Sequence, residues 1–223
     1  MEKATDTKSA ITPVNGKNLK IQCLNIVGQI EGHMILPPQD KTTKYEYILP
    51  QLAAIEQDDE VDGLLVLLNT AGGDVEAGLA ISEMIAGMVK PSVSLVLGGG
   101  HSIGVPLAVS TDYSFIARSA TMTLHPLRMN GMVIGVAQTF EYLSRIQDSI
   151  VSFISEHSKI SKEDFNALML KTGEIANDVG SIVFGEKAVE CGLIDEVGTL
   201  SDAISKLREL ILIQKNNLSK TCD

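Results

Sequence analysis

LVLGGGHSIGVPLAVS, residues 95–110, is the segment on which the fold turns. An apolar run stops at Gly98, Gly99 and Gly100, His101 and Ser102 follow, and a second apolar run begins at Ile103. This is the pattern of a strand that feeds through a glycine turn into a helix. Its centre, Gly100-His101-Ser102-Ile103-Gly104, fits G-x-S-x-G, the spacing of a strained strand-to-helix turn that presents a nucleophilic serine. Two readings of Ser102 follow. As an N-cap, its oxygen accepts one of the unpaired N–H groups of the first helical turn. As a nucleophile, it uses the same geometry: the glycines permit the sharp turn, and the helix N-terminus favours negative charge developing near the serine oxygen.

Working outward, GLLVLLN (63–69) is continuously apolar, as a strand buried on both faces is. SVSLVLG (92–98) is a second strand of the same kind. Between them, DVEAGLAISEMIAGMVK places Leu79, Ala80, Met84, Ile85 and Met88 at helical spacing, with Asp74 positioned to cap the start. That is one βαβ unit. A short helix in SIGVPLAVS leads to a further strand in YSFIARSATMTLH (113–125), and LKIQCLNIVGQ (19–29) supplies an earlier one. Repeated βα alternation predicts an α/β fold with a mainly parallel sheet.

Beyond residue 131 the period changes. Val136, Phe140, Leu143, Ile150 and Ile154 form one long apolar stripe, with Glu141 and Arg145 paired on the other side. A helix over about 132–157 is long for a compact domain. It lies along its own sheet or packs on another subunit. Ser161 and Asp164 resemble a capping box before a second helix that Gly173 is placed to end, and SDAISKLRELILIQK is the last helix. With no repeat, low-complexity tract or linker, the chain divides into a flexible lead-in (1–18), one domain (19–212) and a flexible tail (213–223).

Composition narrows the function classes. Hydrophobic residues are 44% and aromatics 4% with no Trp, so the core is aliphatic. A formal charge of −10 argues against a nucleic-acid binder, whose footprint is a basic patch. Cys23, Cys191 and Cys222 have no C-x-x-C spacing, so neither a disulfide framework nor a zinc site follows, and a reducing, cytoplasmic setting is the simplest reading. The polar start MEKATDTKSAITPVNGKN has no signal-like apolar stretch, and no run approaches the ~20 apolar residues of a membrane helix.

A nucleophilic serine needs a base. Of His33, His101, His125 and His157, His101 adjoins Ser102, where neighbours on a tight turn point apart. His33 lies in a loop-like stretch, and His157 sits near the end of an amphipathic helix. His125 ends the strand that follows the Ser102 helix, held extended by Pro126. Parallel strands would put both residues at the carboxyl edge of one sheet, where such folds place their sites. Taken alone, His125 reads as an ordinary strand-end histidine; the pairing gives it weight. An oxyanion needs donors, and Gly72 and Gly73, at the end of GLLVLLNTAGG, offer close backbone N–H groups. The plainer reading of that pair is a tight βα turn. The nucleotide-binding patterns G-x-G-x-x-G and G-x-x-x-x-G-K-[ST] are absent.

LLNTAGGDVEAGLAI, GGGHSIGVPLAVSTDYSFIARSATMTLHPL and GEKAVECGLIDEVG, in that order, resemble the proteolytic subunit of the Clp protease over roughly residues 20–205, and within it the bacterial translocation-enhancing branch. The resemblance implies a Clp-protease/crotonase-like fold of ββα and βαβ units, with 132–157 as the handle helix that interlocks two stacked rings, heptamers in the family's form. It implies a serine peptidase without cofactor or metal, acting on peptides or unfolded chains inside the chamber, and an ATP-dependent unfoldase as partner. The family's nucleophile falls on Ser102, its base on His125, and its oxyanion donors on the backbone around Gly73 and on Ile103. His101 and Ile103 depart from the small residues and Met that usually flank the serine. The family's acid, counted back from GEKAVECGLID, lands on Gly180; Asp178 is the nearest acid and Glu174 the next. Asp195, in CGLIDEVG, reads as a turn or cap residue. An α/β-hydrolase orders its triad Ser, acid, His, so the G-x-S-x-G match is incidental to that fold. The alternatives are a ring subunit or adaptor without catalysis and, further off, a crotonase-like acyl-CoA enzyme.

Overall fold

A computed structural model describes residues 10–14, 17–129, 131–173 and 179–220. In chain order its elements are β1 (Ala10–Val14), β2 (Lys17–Glu31), β3 (Thr42–Lys44), α1 (Tyr45–Gln57), β4 (Gly63–Gly73), α2 (Val75–Ala86), β5 (Ser92–Gly100), α3 (Gly104–Val109), β6 (Tyr113–Ile116) and β7 (Thr121–Leu124). There follow α4 (Val136–Glu156), α5 (Lys162–Met169), β8 (Ser181–Phe184), α6 (Gly185–Glu190), β9 (Glu196–Val197) and α7 (Leu200–Lys220). This is the expected α/β class, in one mixed sheet.

The sheet runs β1-β2-β4-β5-β6-β9, parallel except where β1 folds back antiparallel on β2. Strand β4 shows why its sequence is apolar without alternation. Leu64, Val66 and Leu68 enter the core beneath α1, α2 and α3, while Leu65 faces a second core with Val93, Leu95, Phe115 and, from α7, Ala203, Leu207 and Ile211. Both faces of the strand are covered, so both sets of side chains leave water. Asp74 caps α2 by accepting from the Ala77 N–H at 2.9 Å, and Ser161 caps α5 by accepting from the Asp164 N–H at 3.0 Å.

Four sequence expectations are modified. The 113–125 segment is two strands: β6 pairs with the first half of β5, a turn closed by Ala120 N–H to Ala117 O breaks the run, and β7 then meets β5 only at Gly99–Thr121 while pairing antiparallel with β8. The handle helix begins at Val136, after Gly135 at φ 73°. Residues 213–220, read as tail, continue α7, whose buried stripe of Ala203, Leu207 and Ile211 ends before them. At the other end, Ala10–Val14 of the expected lead-in are a strand.

Helix α4 divides in two. Val151, Phe153 and Ile154 are buried, whereas Val136 and Phe140 are each 75% exposed, and Met132 and Ile134 just ahead of them are more so. The apolar stripe therefore outruns the core of its own chain. Glu141 and Arg145 pair at 2.5 Å on the outer side, as the i,i+4 spacing predicts. Among the described residues no helix is long and apolar enough to cross a membrane.

Candidate active site

Two irregularities in the sheet shape the site. Between β2 and β4 the register shifts after Gly28, and between β4 and β5 it jumps from Leu68–Val96 to Thr70–Gly100. The extra residues of β5 bulge out opposite Asn69, whose Oδ1 accepts from the Gly99 N–H at 3.0 Å. A Cβ on Gly99 would lie 2.5 Å from His101 Nε2, so the missing side chain is the room the His101 ring occupies. The glycines thus serve close approach, and the sharp turn falls on the serine itself. Ser102 has φ 56° and is the sole non-glycine residue in the left-handed region among the described residues. Such a conformation costs about 1–3 kcal/mol and persists only when neighbours hold it. They do: His101 N–H donates to Thr70 O of β4 at 3.1 Å, and Ser102 N–H donates to Thr123 O of β7 at 2.9 Å. The turn is pinned to the strands on both sides.

His125 follows β7 directly, as the Pro126 argument predicted, and it lines one cavity of about 280 Å³ with Ser102. Its Nδ1 lies 2.7 Å from the Pro126 carbonyl oxygen. A carbonyl can only accept, so Nδ1 carries the hydrogen and Nε2 keeps the lone pair. That is the tautomer a general base needs. The Ser102 hydroxyl takes no hydrogen bond among the described residues, so it is available to a partner that closes on it.

Gly73 and Ile103 line or adjoin the same cavity. In the parallel register Ile30 pairs with Gly73 and accepts from the Asp74 N–H at 3.0 Å, so the Gly73 N–H points away from β2, toward the β5 side. The Ile103 N–H, ahead of α3, has no acceptor among the described residues. Gly72 behaves differently. Its N–H donates to Thr70 Oγ1 at 3.0 Å, while that hydroxyl donates to Gly28 O at 2.6 Å. The Gly72 N–H is thus bonded inside the sheet. Its role is spatial: with φ +86°, a Cβ there would meet Ser102 Cβ at 2.7 Å.

The other histidines are accounted for. His101 turns away from the cavity, its Nδ1 2.9 Å from Thr123 Oγ1, and burial holds its pKa below the ordinary value. His157 places Nδ1 2.8 Å from Phe153 O and stacks on that ring, and His33 meets Tyr45. Asp195 accepts from Ser114 N–H and hydroxyl and pairs with Lys159 at 2.8 Å. Burial pushes its carboxyl up, but Lys159 and Ser114 outweigh that and hold it below the usual range. It is a structural tie between β6 and the β9 turn. Asp178 and Glu174, the candidate acids, lie outside the described residues. Sequence reasoning missed Gln147 of α4, which lines the cavity and accepts from the Leu127 N–H at 3.1 Å. Its position one turn before Ile150 in the apolar stripe was the available signal.

Beyond Ser102 and His125 one part of the cavity wall is apolar, with Leu124, Ile150, Ile154, Phe165 and Met169, and Thr123, Arg128 and Gln147 add polar and charged groups. Ser102 and His125 thus share one cavity at the carboxyl edge of a parallel sheet, and the chain belongs to the Clp protease family, whose model matches residues 18–201. It is 62% identical to Translocation-enhancing protein TepA of Halalkalibacterium halodurans over 191 residues, covering 86% of this chain and 75% of that one. It is also 28% identical to "Putative protease MJ0651" of Methanocaldococcus jannaschii, covering 81% of this chain and 65% of that protein.

Proposed function

We propose that the chain is a serine-type endopeptidase that cleaves peptides or unfolded proteins inside a homo-oligomeric chamber. The observation that carries this is Ser102, in the left-handed region, sharing a cavity with a His125 whose Nδ1 faces the Pro126 carbonyl, which leaves Nε2 as the ring nitrogen to take a proton. Ser102 Oγ attacks the scissile carbonyl as His125 Nε2 takes its proton. The oxyanion is met by the N–H groups of Gly73 and Ile103, and the proton passes to the leaving amine, giving an acyl-enzyme and a free amine. A water that gives its proton to Nε2 then releases the acid and restores the serine. Asp178 keeps its place as the nearest acid in sequence. The role left for it is to stabilise the imidazolium charge, since the Nδ1 hydrogen is taken. The apolar part of the wall suits an apolar side chain next to the scissile bond.

Clp protease family members oligomerise, and the exposed stripe Val136–Phe140 supplies an apolar face for a second copy of this chain. Stacked rings, an ATP-dependent unfoldase as partner, a cytoplasmic location and a part in secretion or protein turnover belong to the same proposal. Support for the last comes from the name of the 62% identical relative. A fluorophosphonate probe tests the chemistry. Stoichiometric labelling of Ser102, lost in Ser102→Ala, is expected. Absence of labelling in a folded assembly would favour the second reading, a ring subunit or adaptor without catalysis, which draws on the unbonded Ser102 hydroxyl.

A further inference from the structure

We propose that Gln147 is a positioning residue for the His125 base, acting through the peptide group between Pro126 and Leu127. The inference rests on the peptidase reading above for its functional meaning, but not for its geometry. One planar peptide carries both contacts. Its carbonyl, from Pro126, accepts from His125 Nδ1 at 2.7 Å. Its N–H, from Leu127, donates to Gln147 Oε1 at 3.1 Å. The Leu127 N–H admits only an acceptor, which fixes which end of the Gln147 amide faces it. The pyrrolidine ring fixes φ of Pro126, so rotation about ψ is the freedom left to this peptide plane. Gln147, anchored on α4 near buried Val151 and Ile154, removes that freedom. The two bonds also polarise one another across the amide, making the carbonyl a better acceptor for Nδ1–H.

Chain geometry therefore holds the His125 ring by its Nδ1 side, through the Pro126 carbonyl. A neutral acceptor does this without adding a negative charge to the cavity, which Arg128 also lines.

The test compares wild type with Gln147→Leu, Gln147→Glu and Asp178→Asn. Gln147→Glu keeps an oxygen acceptor for the Leu127 N–H, and Gln147→Leu removes it at similar volume. Solid-state 15N NMR of histidine-labelled protein reads the His125 tautomer, with the resonance assigned by its loss in His125→Gln. Wild type and Gln147→Glu are expected to show hydrogen on Nδ1, and Gln147→Leu a mixture of tautomers. Fluorophosphonate labelling of Ser102 should slow by about three- to ten-fold in Gln147→Leu and recover in Gln147→Glu, the scale of one hydrogen bond. A wild-type His125 without the Nδ1 hydrogen overturns the proposal, as does an unchanged tautomer in Gln147→Leu. A tautomer that changes in Asp178→Asn and not in Gln147→Leu gives the role to Asp178 instead. If no variant labels while the tautomers follow this pattern, the positioning stands and the peptidase reading falls.

Discussion

Gly72 packs so close to Ser102 that it leaves no room for a side chain of its own. A Cβ on Gly72 would lie 2.7 Å from Ser102 Cβ and 3.3 Å from its Oγ, and Gly72 sits at φ +86°. Gly72→Ala is therefore expected to combine backbone strain with displacement of Ser102. We expect a loss of about 1–3 kcal/mol in chemical denaturation and a larger proportional loss of fluorophosphonate labelling. Wild-type stability together with wild-type labelling would contradict this contact.

Ser102 itself stores strain. A non-glycine residue in the left-handed region is less stable there than glycine by roughly 1–2 kcal/mol. Ser102→Gly and Ser102→Ala should both lose labelling, yet Ser102→Gly should be the more stable by about 1 kcal/mol in thermal or urea unfolding. Equal stabilities would mean that φ 56° is relaxed in solution.

His101 links stability to pH. Burial lowers its pKa from the ordinary 6.5, and Thr123 Oγ1 is its ring partner. The unfolded chain then binds the proton first as pH falls. Its contribution is full above about pH 6.5 and declines as pH drops from there through the lower folded-state value. The melting temperature of wild type should fall more steeply between pH 7.5 and 5.5 than that of His101→Gln, which does not titrate. Parallel curves would remove His101 from the account.

Phe140, 75% exposed on α4, tests the assembly. Phe140→Glu contacts little of its own chain, so each subunit should keep its far-ultraviolet circular dichroism. A charge on a face that packs against another copy should lower the mass measured by light scattering. Unchanged mass would place the interface elsewhere.

Much of this was legible in local pattern. Strand β4 declared itself through an unbroken apolar run, α2 through its period and Asp74 cap, and α4 through a stripe too long for one core. Ser102 and His125 were found because each sits at the junction of two such elements. The break of 113–125 into β6 and β7 was hidden, because it depends on β8 claiming one edge of β7.

Sequence alone therefore determined the order of elements, the α/β class and the two residues brought to one sheet edge, because hydrophobic period and turn residues act over a few neighbours. Tertiary structure decided the rest. It put the left-handed turn on Ser102 by pinning it to Thr70 and Thr123, tied the Gly72 N–H to the Thr70 hydroxyl, and set His125 Nδ1 against the Pro126 carbonyl and the Leu127 N–H against Gln147. The bonds from His101 to Thr70, from Ser102 to Thr123 and from Leu127 to Gln147 join segments 20 or more residues apart, and even the local bonds of Gly72 and His125 compete with partners brought by other strands. A donor's partner is set by how strands and helices meet in space, which no local period encodes.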